Sequence, residues 1–198
     1  FTSRKNLSHI NHSFINLKKN TQFEKIFKVI SKFSEISELR YVGGCVRKIV
    51  NTEPVDDIDL ATNIDPKSIT NILKENNINF FETGILHGTV TAVIDDKKFE
   101  ITSLRKDVST DGRHAKVEFS DDWLEDSSRR DFTINSIYAD IDGNLFDPQD
   151  GKKDLEEGIV KFIGDPDKRI KEDYLRILRY IRFFLNYSKK KHEPEIKK

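Results

Sequence analysis

A single cysteine, Cys45, stands in the whole chain, so no internal disulfide can form, which fits a reducing compartment. No apolar run approaches the ~18 residues of a membrane span. There is no internal repeat and no net charge, since 34 Lys and Arg balance 34 Asp and Glu. The balance hides an uneven distribution. Residues 1–23 contain no acid and carry +4, residues 161–198 carry +6, and residues 24–160 therefore carry −10. An acidic middle suits a metal-binding catalytic domain, and basic ends suit a polyanionic partner; charge runs are also what solvated faces look like. With 198 residues, 36% of them hydrophobic and 34% charged, the chain can bury a real core in one or two domains. The Ser/Asn/Lys-rich start, residues 1–22, is expected to be an N-terminal tail, with a transit peptide as the alternative. The last ten residues, KKKHEPEIKK, show neither cap nor core pattern and are expected to be a cut or disordered end.

The chain is organised around Tyr41 to Thr62, YVGGCVRKIVNTEPVDDIDLAT. A short strand should end at Val42, and Cys45 to Val50 should open a helix. A Gly43-Gly44 turn between them lets backbone approach a ligand and leaves N–H groups free for phosphate. Further on, Asp57-Ile58-Asp59 alternates carboxylate, apolar, carboxylate. On a strand both aspartates would share one face, with Ile58 on the core side. Two carboxylates near such a turn, with Arg47 between, point to a Mg²⁺ site for phosphoryl or nucleotidyl transfer. The alternative is a solvated turn running into an edge strand.

The rest of the chain mixes helix and strand. Phe23, Ile26, Phe27, Ile30 and Phe33 predict an amphipathic helix over 23–38. Asp65-Pro66 should start a helix to Asn76. Strands are expected at 78–83, in a hairpin of 89–95 and 98–104 turning at Asp95-Asp96, and at 116–119 and 137–141. Residues 105–118 read as a polar loop containing Asp111-Gly112-Arg113 and His114. From Asp165 the pattern turns helical, with one helix over 171–184. These elements describe an α/β (α+β) fold. Glu100 would sit on a strand opposite in sense to Ile101. Arg130-Asp131 offers a donor fork beside a carboxylate, suited to ribose and phosphate, or else to a structural ion pair. Asp173, Arg176 and Arg179, three apart, would share a helix face, either as an acceptor–donor edge for a base or as an exposed salt bridge.

GGCVRK followed by DDIDLAT, then HGTVTAVIDDKKFEITSLR, DVSTDGRHAKVEF, SSRRDFTINSIY and KEDYLRILRYIRF, resemble the class II tRNA nucleotidyltransferases. These are the CCA-adding enzymes, which share ancestry with bacterial poly(A) polymerases. The resemblance implies a nucleotidyltransferase head over 23–150, a mixed sheet with helices, and the start of an all-helical neck over 151–198, with body and tail absent. It implies addition of CCA to the tRNA 3′ end from CTP and ATP, dependent on Mg²⁺ and releasing pyrophosphate. The alternatives are poly(A) addition to RNA 3′ ends and a non-catalytic nucleotide- or RNA-binding fragment. It also implies roles. Asp57 and Asp59 hold the metal, with Glu100 a third catalytic carboxylate. Gly43, Gly44 and Arg47 cradle the triphosphate, and Arg130 and Asp131 take the ribose. Asp173 and Arg176 read the base, and Arg179 and Arg182 extend the basic stripe. His87-Gly88-Thr89 matches an element with a structural role, and residues 105–118 match a full-length flexible loop linked to the switch from C to A. The location implied is cytoplasmic, as in bacteria, with mitochondrial as the alternative. One departure is Lys48, where the family pattern GGxVRD ends in Asp.

Overall fold

The computed structural model describes residues 2–110 and 115–189. Two helices open the chain, α1 (Thr2–Lys18) and α2 (Thr21–Ser31). Residues 1–22, expected as a tail, are therefore mostly helix. Ile10 and Phe14 of α1 are buried in the core, and Phe14 meets Tyr41 with 5.3 Å between ring centroids. α2 starts where the Asn20 side chain accepts from the Gln22 amide. It stops at Ser31, short of the expected end, and leaves Phe33 52% exposed. Phe23, Ile26, Phe27 and Ile30 are buried, as the apolar spacing requires.

Seven strands form one sheet: β1 (Leu39–Val42), β2 (Asp59–Thr62), β3 (Asn79–Gly84), β4 (Thr89–Ile94), β5 (Lys97–Ser103), β8 (Tyr138–Ala139) and β9 (Leu145–Phe146). Their order is β3-β4-β5-β2-β1-β8-β9, and every neighbouring pair is antiparallel except β2 and β5. Asp95 and Asp96 both take positive φ at the β4–β5 turn, the backbone a tight two-residue hairpin demands. The segment expected as a polar loop instead contributes β6 (Arg105–Thr110) and β7 (Ala115–Phe119), an antiparallel ribbon. Asp111, Gly112, Arg113 and His114 lie outside the described residues.

The remaining helices are α3 (Gly44–Val50), α4 (Pro66–Glu75), α5 (Trp123–Ser128), α6 (Gly151–Glu157), α7 (Pro166–Glu172) and α8 (Leu175–Tyr187). On one side of the sheet Tyr41, Leu60, Val90 and Ile101 pack with Phe14, Ile26, Ile69 and Leu73 from α1, α2 and α4. Each side chain so buried contributes about 1.5–3 kcal/mol. On the other side, Val42, Ala61, Leu104 and Tyr138 form a smaller cluster with Trp123 and Phe146. A third cluster joins Phe132 and Ile134 to Leu155, Phe162, Tyr180 and Phe183, so α6 and α8 are fastened to the loop before β8. Gly151 permits this closure, because a Cβ there would overlap the Thr133 carbonyl. No helix among the described residues is long and apolar enough to cross a membrane.

Candidate active site

The Gly43-Gly44 turn lies between β1 and α3. Gly43 has φ 71° and ψ −130°, a conformation that a side chain disfavours. A Cβ at Gly43 would touch nothing within 4 Å, so the glycine is there for its backbone and not for space. Gly43→Ala is therefore expected to cost about 1–3 kcal/mol of strain and to lower the melting temperature by roughly 2–12 °C. A thermal melt showing no loss would remove backbone conformation as the reason for this glycine.

Asp57, Asp59 and Glu100 come from different local structures. β2 starts at Asp59, so Asp57 lies in the preceding loop and not on the expected strand. Ile58 packs partly buried against the core, as its alternation predicts. The parallel register of β2 and β5 places Asp59 directly opposite Glu100. Leu60 and Ile101, the next residues, are both fully buried, so Asp59 and Glu100 point to the other face of the sheet. Asp59 is exposed along a cleft, yet loss of water there, then the charges of Glu100 and Asp57, pushes its carboxyl above the usual range. Arg130 works against that rise. Among the described residues no group of three or more His, Cys, Asp or Glu side chains is placed to hold a metal ion by itself. The donor set still fits a hard divalent ion: its carboxylates repel one another, and an ion would complete its shell with ligand oxygens and water.

The cleft has a volume of about 1020 Å³ and is lined by Gly43, Gly44, Arg47, Asp59, Arg130, Asp131, Asp173, Arg176, Arg179 and Arg182, among others. Eleven of the twelve residues singled out from sequence are thus either on its wall or, like Glu100, beside one that is; Asp57 enters through its charge on Asp59. Arg47 is only 8% exposed. Its Nη1 donates to Asn135 Oδ1, and its guanidinium lies 4.9 Å over the Phe183 ring and 5.1 Å over Tyr187. Lys48 turns to Asp56, with Nζ 2.9 Å from the carboxylate, and so ties α3 to the loop before β2.

Arg130 and Asp131 are held by ion pairs. Arg130 donates from Nε and Nη2 to Asp126 Oδ2, at 3.2 and 3.0 Å, and from Nε to the Tyr138 hydroxyl at 3.1 Å. Arg129 donates to the other Asp126 oxygen at 3.1 and 2.9 Å. Burial opposes ionisation of Asp126, but Arg130 and Arg129 outweigh it and hold its carboxyl below the usual range. Asp131 accepts from Arg179 Nε at 2.7 Å and, more weakly, from Asn135 Nδ2 at 3.4 Å. Asn135 thus links Arg47 to Asp131, its amide giving an acceptor to the cation and a donor to the anion.

The helix expected over 171–184 is broken. α7 ends at Glu172, Asp173 is extended at φ −155° and ψ 104°, and α8 begins at Leu175. Asp173 is therefore not on the helix face of Arg176 and Arg179. Its Oδ1 accepts from the amide of Leu175, the first residue of α8, at 2.9 Å. The cleft still brings it together with Arg176. Arg176 Nη1 donates to Glu172 Oε2 at 2.9 Å and to the Arg169 carbonyl at 2.7 Å. Asp126, Asn135, Arg169 and Glu172 are site-building residues that the sequence reading did not single out. The polar pattern gives no signal for them beyond their nearness to Arg130 and Arg176.

A family model described as Poly A polymerase head domain matches residues 39–161. Over 164 residues the chain is 47% identical to CCA tRNA nucleotidyltransferase 1, mitochondrial, of Homo sapiens, covering 81% of this chain and 38% of that protein. Over 169 residues it is 37% identical to the CCA-adding enzyme of Lactobacillus delbrueckii subsp. bulgaricus, covering 84% of this chain and 42% of the relative. Among solved structures it is similar to the Bacillus stearothermophilus CCA-adding enzyme in complex with CTP, with TM-score 0.73 and 31% identity, covering 83% of this chain and 39% of that one. A tRNA nucleotidyltransferase complexed with a primer tRNA and an incoming ATP analog matches with TM-score 0.65 and 25% identity, over 82% of this chain and 46% of that one. The chain thus spans about two fifths of the length of the curated relatives it matches. The matched region takes in the glycine turn, Asp57, Asp59, Glu100, Arg130 and Asp131, the part of the cleft wall that precedes α7 and α8: this chain belongs to the poly A polymerase head domain family.

Proposed function

We propose that the chain is the catalytic head of a tRNA nucleotidyltransferase that adds CCA to the tRNA 3′ end from CTP and ATP, without a nucleic-acid template. One observation carries this reading: Asp59, beside Glu100, shares a cleft with the Asp173 and Arg176 side chains. Cytosine and adenine each present an amine beside an unprotonated ring nitrogen, whereas uracil and guanine present a carbonyl beside an N–H. Asp173 retains Oδ2 to accept from the amine, and Arg176 retains Nε and Nη2 to donate to the ring nitrogen. That pairing accepts C and A and rejects U and G.

The remaining roles follow from which atoms are left over. Arg130 keeps Nη1 for the sugar–phosphate side, and a ribose hydroxyl would share the Asp131 carboxylate with Arg179. The Gly43-Gly44 backbone and the Arg47 edge line the triphosphate end, and Arg182 adds positive charge. Asp57 and Asp59 would hold Mg²⁺, the family's cofactor class being a divalent metal. Bound there, the ion would neutralise the phosphates and favour ionisation of the attacking hydroxyl. The tRNA 3′-hydroxyl attacks the α-phosphorus, the bond to the bridging oxygen breaks, and pyrophosphate leaves. Glu100 takes the hydroxyl proton.

Residues 151–189 would form the first part of a helical neck. α8 leaves Leu175, Leu178, Ile181 and Leu185 exposed, an apolar stripe suited to packing by a further helix. The location we infer is mitochondrial or, as in bacteria, cytoplasmic.

Incubating the chain with labelled CTP and ATP on tRNA lacking CCA tests the reading. CTP supplied alone should be incorporated; a poly(A) polymerase would leave it untouched. Failure to incorporate either nucleotide would favour a non-catalytic binding fragment. Arg176→Ala should lower the preference for CTP and ATP over UTP and GTP by about 10–150-fold, the worth of a charge-assisted hydrogen bond of roughly 1.5–3 kcal/mol. Unchanged preference would place base reading elsewhere.

A further inference from the structure

Arg169 on α7 has no role in the chemistry above, yet it is 9% exposed and both its terminal nitrogens donate hydrogen bonds. Its Nη2 donates to the backbone carbonyls of Arg129 and Arg130, the latter at 2.8 Å, and its Nη1 donates to Glu172 Oε2 at 3.0 Å. The same Glu172 oxygen accepts from Arg176 Nη1, and so does the Arg169 carbonyl. One guanidinium therefore joins the backbone immediately before Asp131 to the carboxylate that orients Arg176.

We propose that Arg169 is a specificity-determining positioning residue, a strut that fixes Arg176 relative to Arg130 and Asp131. The inference rests on the reading of Arg176 as the base-reading donor. Burying a cation is expensive, and an apolar residue of similar size would hold α7 on the loop at less cost. The burial of Arg169 is incomplete compensation even here, since its Nε has no partner among the described residues. What an apolar residue cannot supply is direction. The planar fork aims at two carbonyls and one carboxylate at once, and so sets an angle between two elements. A base edge and a ribose are rigidly connected in the nucleotide, so the groups that hold them must keep a fixed spacing. A small rotation of α7 would leave each group intact and spoil the pairing.

The test uses this chain, Mg²⁺, the four ribonucleoside triphosphates and, as a probe of phosphate binding alone, tripolyphosphate. Arg169→Lys keeps the charge but cannot reach all three acceptors. It should lose about ten-fold of the preference for CTP and ATP over UTP and GTP, equivalent to about 1.4 kcal/mol, with tripolyphosphate affinity within about two-fold of the parent. Glu172→Gln, which attacks the strut from its other end while keeping an acceptor oxygen, should lose preference in the same direction by less. Arg176→Ala is measured alongside. If Arg176→Ala loses preference while Arg169→Lys and Glu172→Gln keep it, the strut is wrong and the base reader stands. If Arg176→Ala keeps preference, the base-reading assignment falls and takes the strut with it. An Arg169→Lys that weakens all five ligands equally has only a structural role. Should Arg169→Lys fail to fold, Glu172→Gln decides: unchanged preference overturns the proposal.

Discussion

Asp59→Ala is expected to cut nucleotide incorporation by about 10³-fold or more while raising the melting temperature of the ligand-free protein. The first effect follows from losing a carboxylate that would hold the catalytic ion, whose stabilisation of transition-state charge is worth several kcal/mol, at about 1.4 kcal/mol per factor of ten. The second follows from the direction of the Asp59 shift. Desolvation, with Glu100 and Asp57, raises its carboxyl in the folded state. The charged form is therefore penalised by folding. That penalty is absent below the unfolded value of about 3.9 and grows to its full size as pH rises through the higher folded value. At neutral pH, removing the carboxylate removes the penalty. Incorporation at saturating Mg²⁺ and a melt in chelator measure the two effects together. A variant that kept a tenth of its turnover would refute the metal assignment, and a fall in melting temperature would refute the electrostatic reading.

Asp126→Ala should have the largest effect on stability. Asp126 is 1% exposed and accepts from Arg129, Arg130, the Arg105 amide at 3.2 Å and the Tyr138 hydroxyl at 2.5 Å. Its loss leaves two guanidinium groups with no counter-ion and a buried hydroxyl without its acceptor. Breaking a buried pair this way costs about 3–5 kcal/mol, a large part of the 5–15 kcal/mol of a typical domain, and roughly 6–20 °C in melting temperature. Asp126→Asn should cost less, because shape and one acceptor survive. The pH dependence has the opposite sense to that of Asp59. The Asp126 carboxyl is held low, so its contribution is present above about pH 4 and drains away as pH falls through the folded value. Asp126→Asn should therefore be less stable than the parent at neutral pH and converge on it in acid. A urea titration at several pH values reads this out; equal losses at all pH values would deny that the ion pairs are the source. Arg130 would also lose its fixed place on the cleft wall, so nucleotide affinity should fall with stability.

The glycine turn, the inward-facing Ile58 and Ile101 and the buried faces of α2 and α4 were legible because each follows a local rule: Gly-Gly after a strand, alternation along a strand, apolar spacing along a helix. Where several local readings were equal, the sequence could not choose. Asp121, Asp122, Glu125 and Asp126 look alike in a polar stretch, and only the fold decides that Asp126 is the buried one. The break at Asp173 was hidden because Ile170, Tyr174, Ile177 and Leu178 carry a helical period across it; the extended backbone at Asp173 interrupts the helix without changing that period. α1 was hidden because its weak helix formers, Asn, Ser and His, gain their order from Ile10 and Phe14 meeting the core, a contact made 27 residues away at Tyr41. Asp57 belongs with the misses in geometry, since β2 starts two residues later than the alternation suggested.

The parallel pairing of β2 with β5 makes the site vulnerable to a kind of change that substitution does not sample. Asp59 meets Glu100 only because Leu60 meets Ile101, and side chains alternate faces along a strand. Inserting one residue into β5 between Phe99 and Glu100, with the hairpin upstream held in register, would turn the Glu100 carboxylate into the core and bring Ile101 to the cleft face, with Asp59 itself untouched. Length changes at the Asp95-Asp96 turn or in the β6–β7 ribbon carry no such cost, because they end outside the paired segment. Descendants of this chain are thus free to vary in length around the sheet, while the spacing inside β5 is held by the position of one carboxylate.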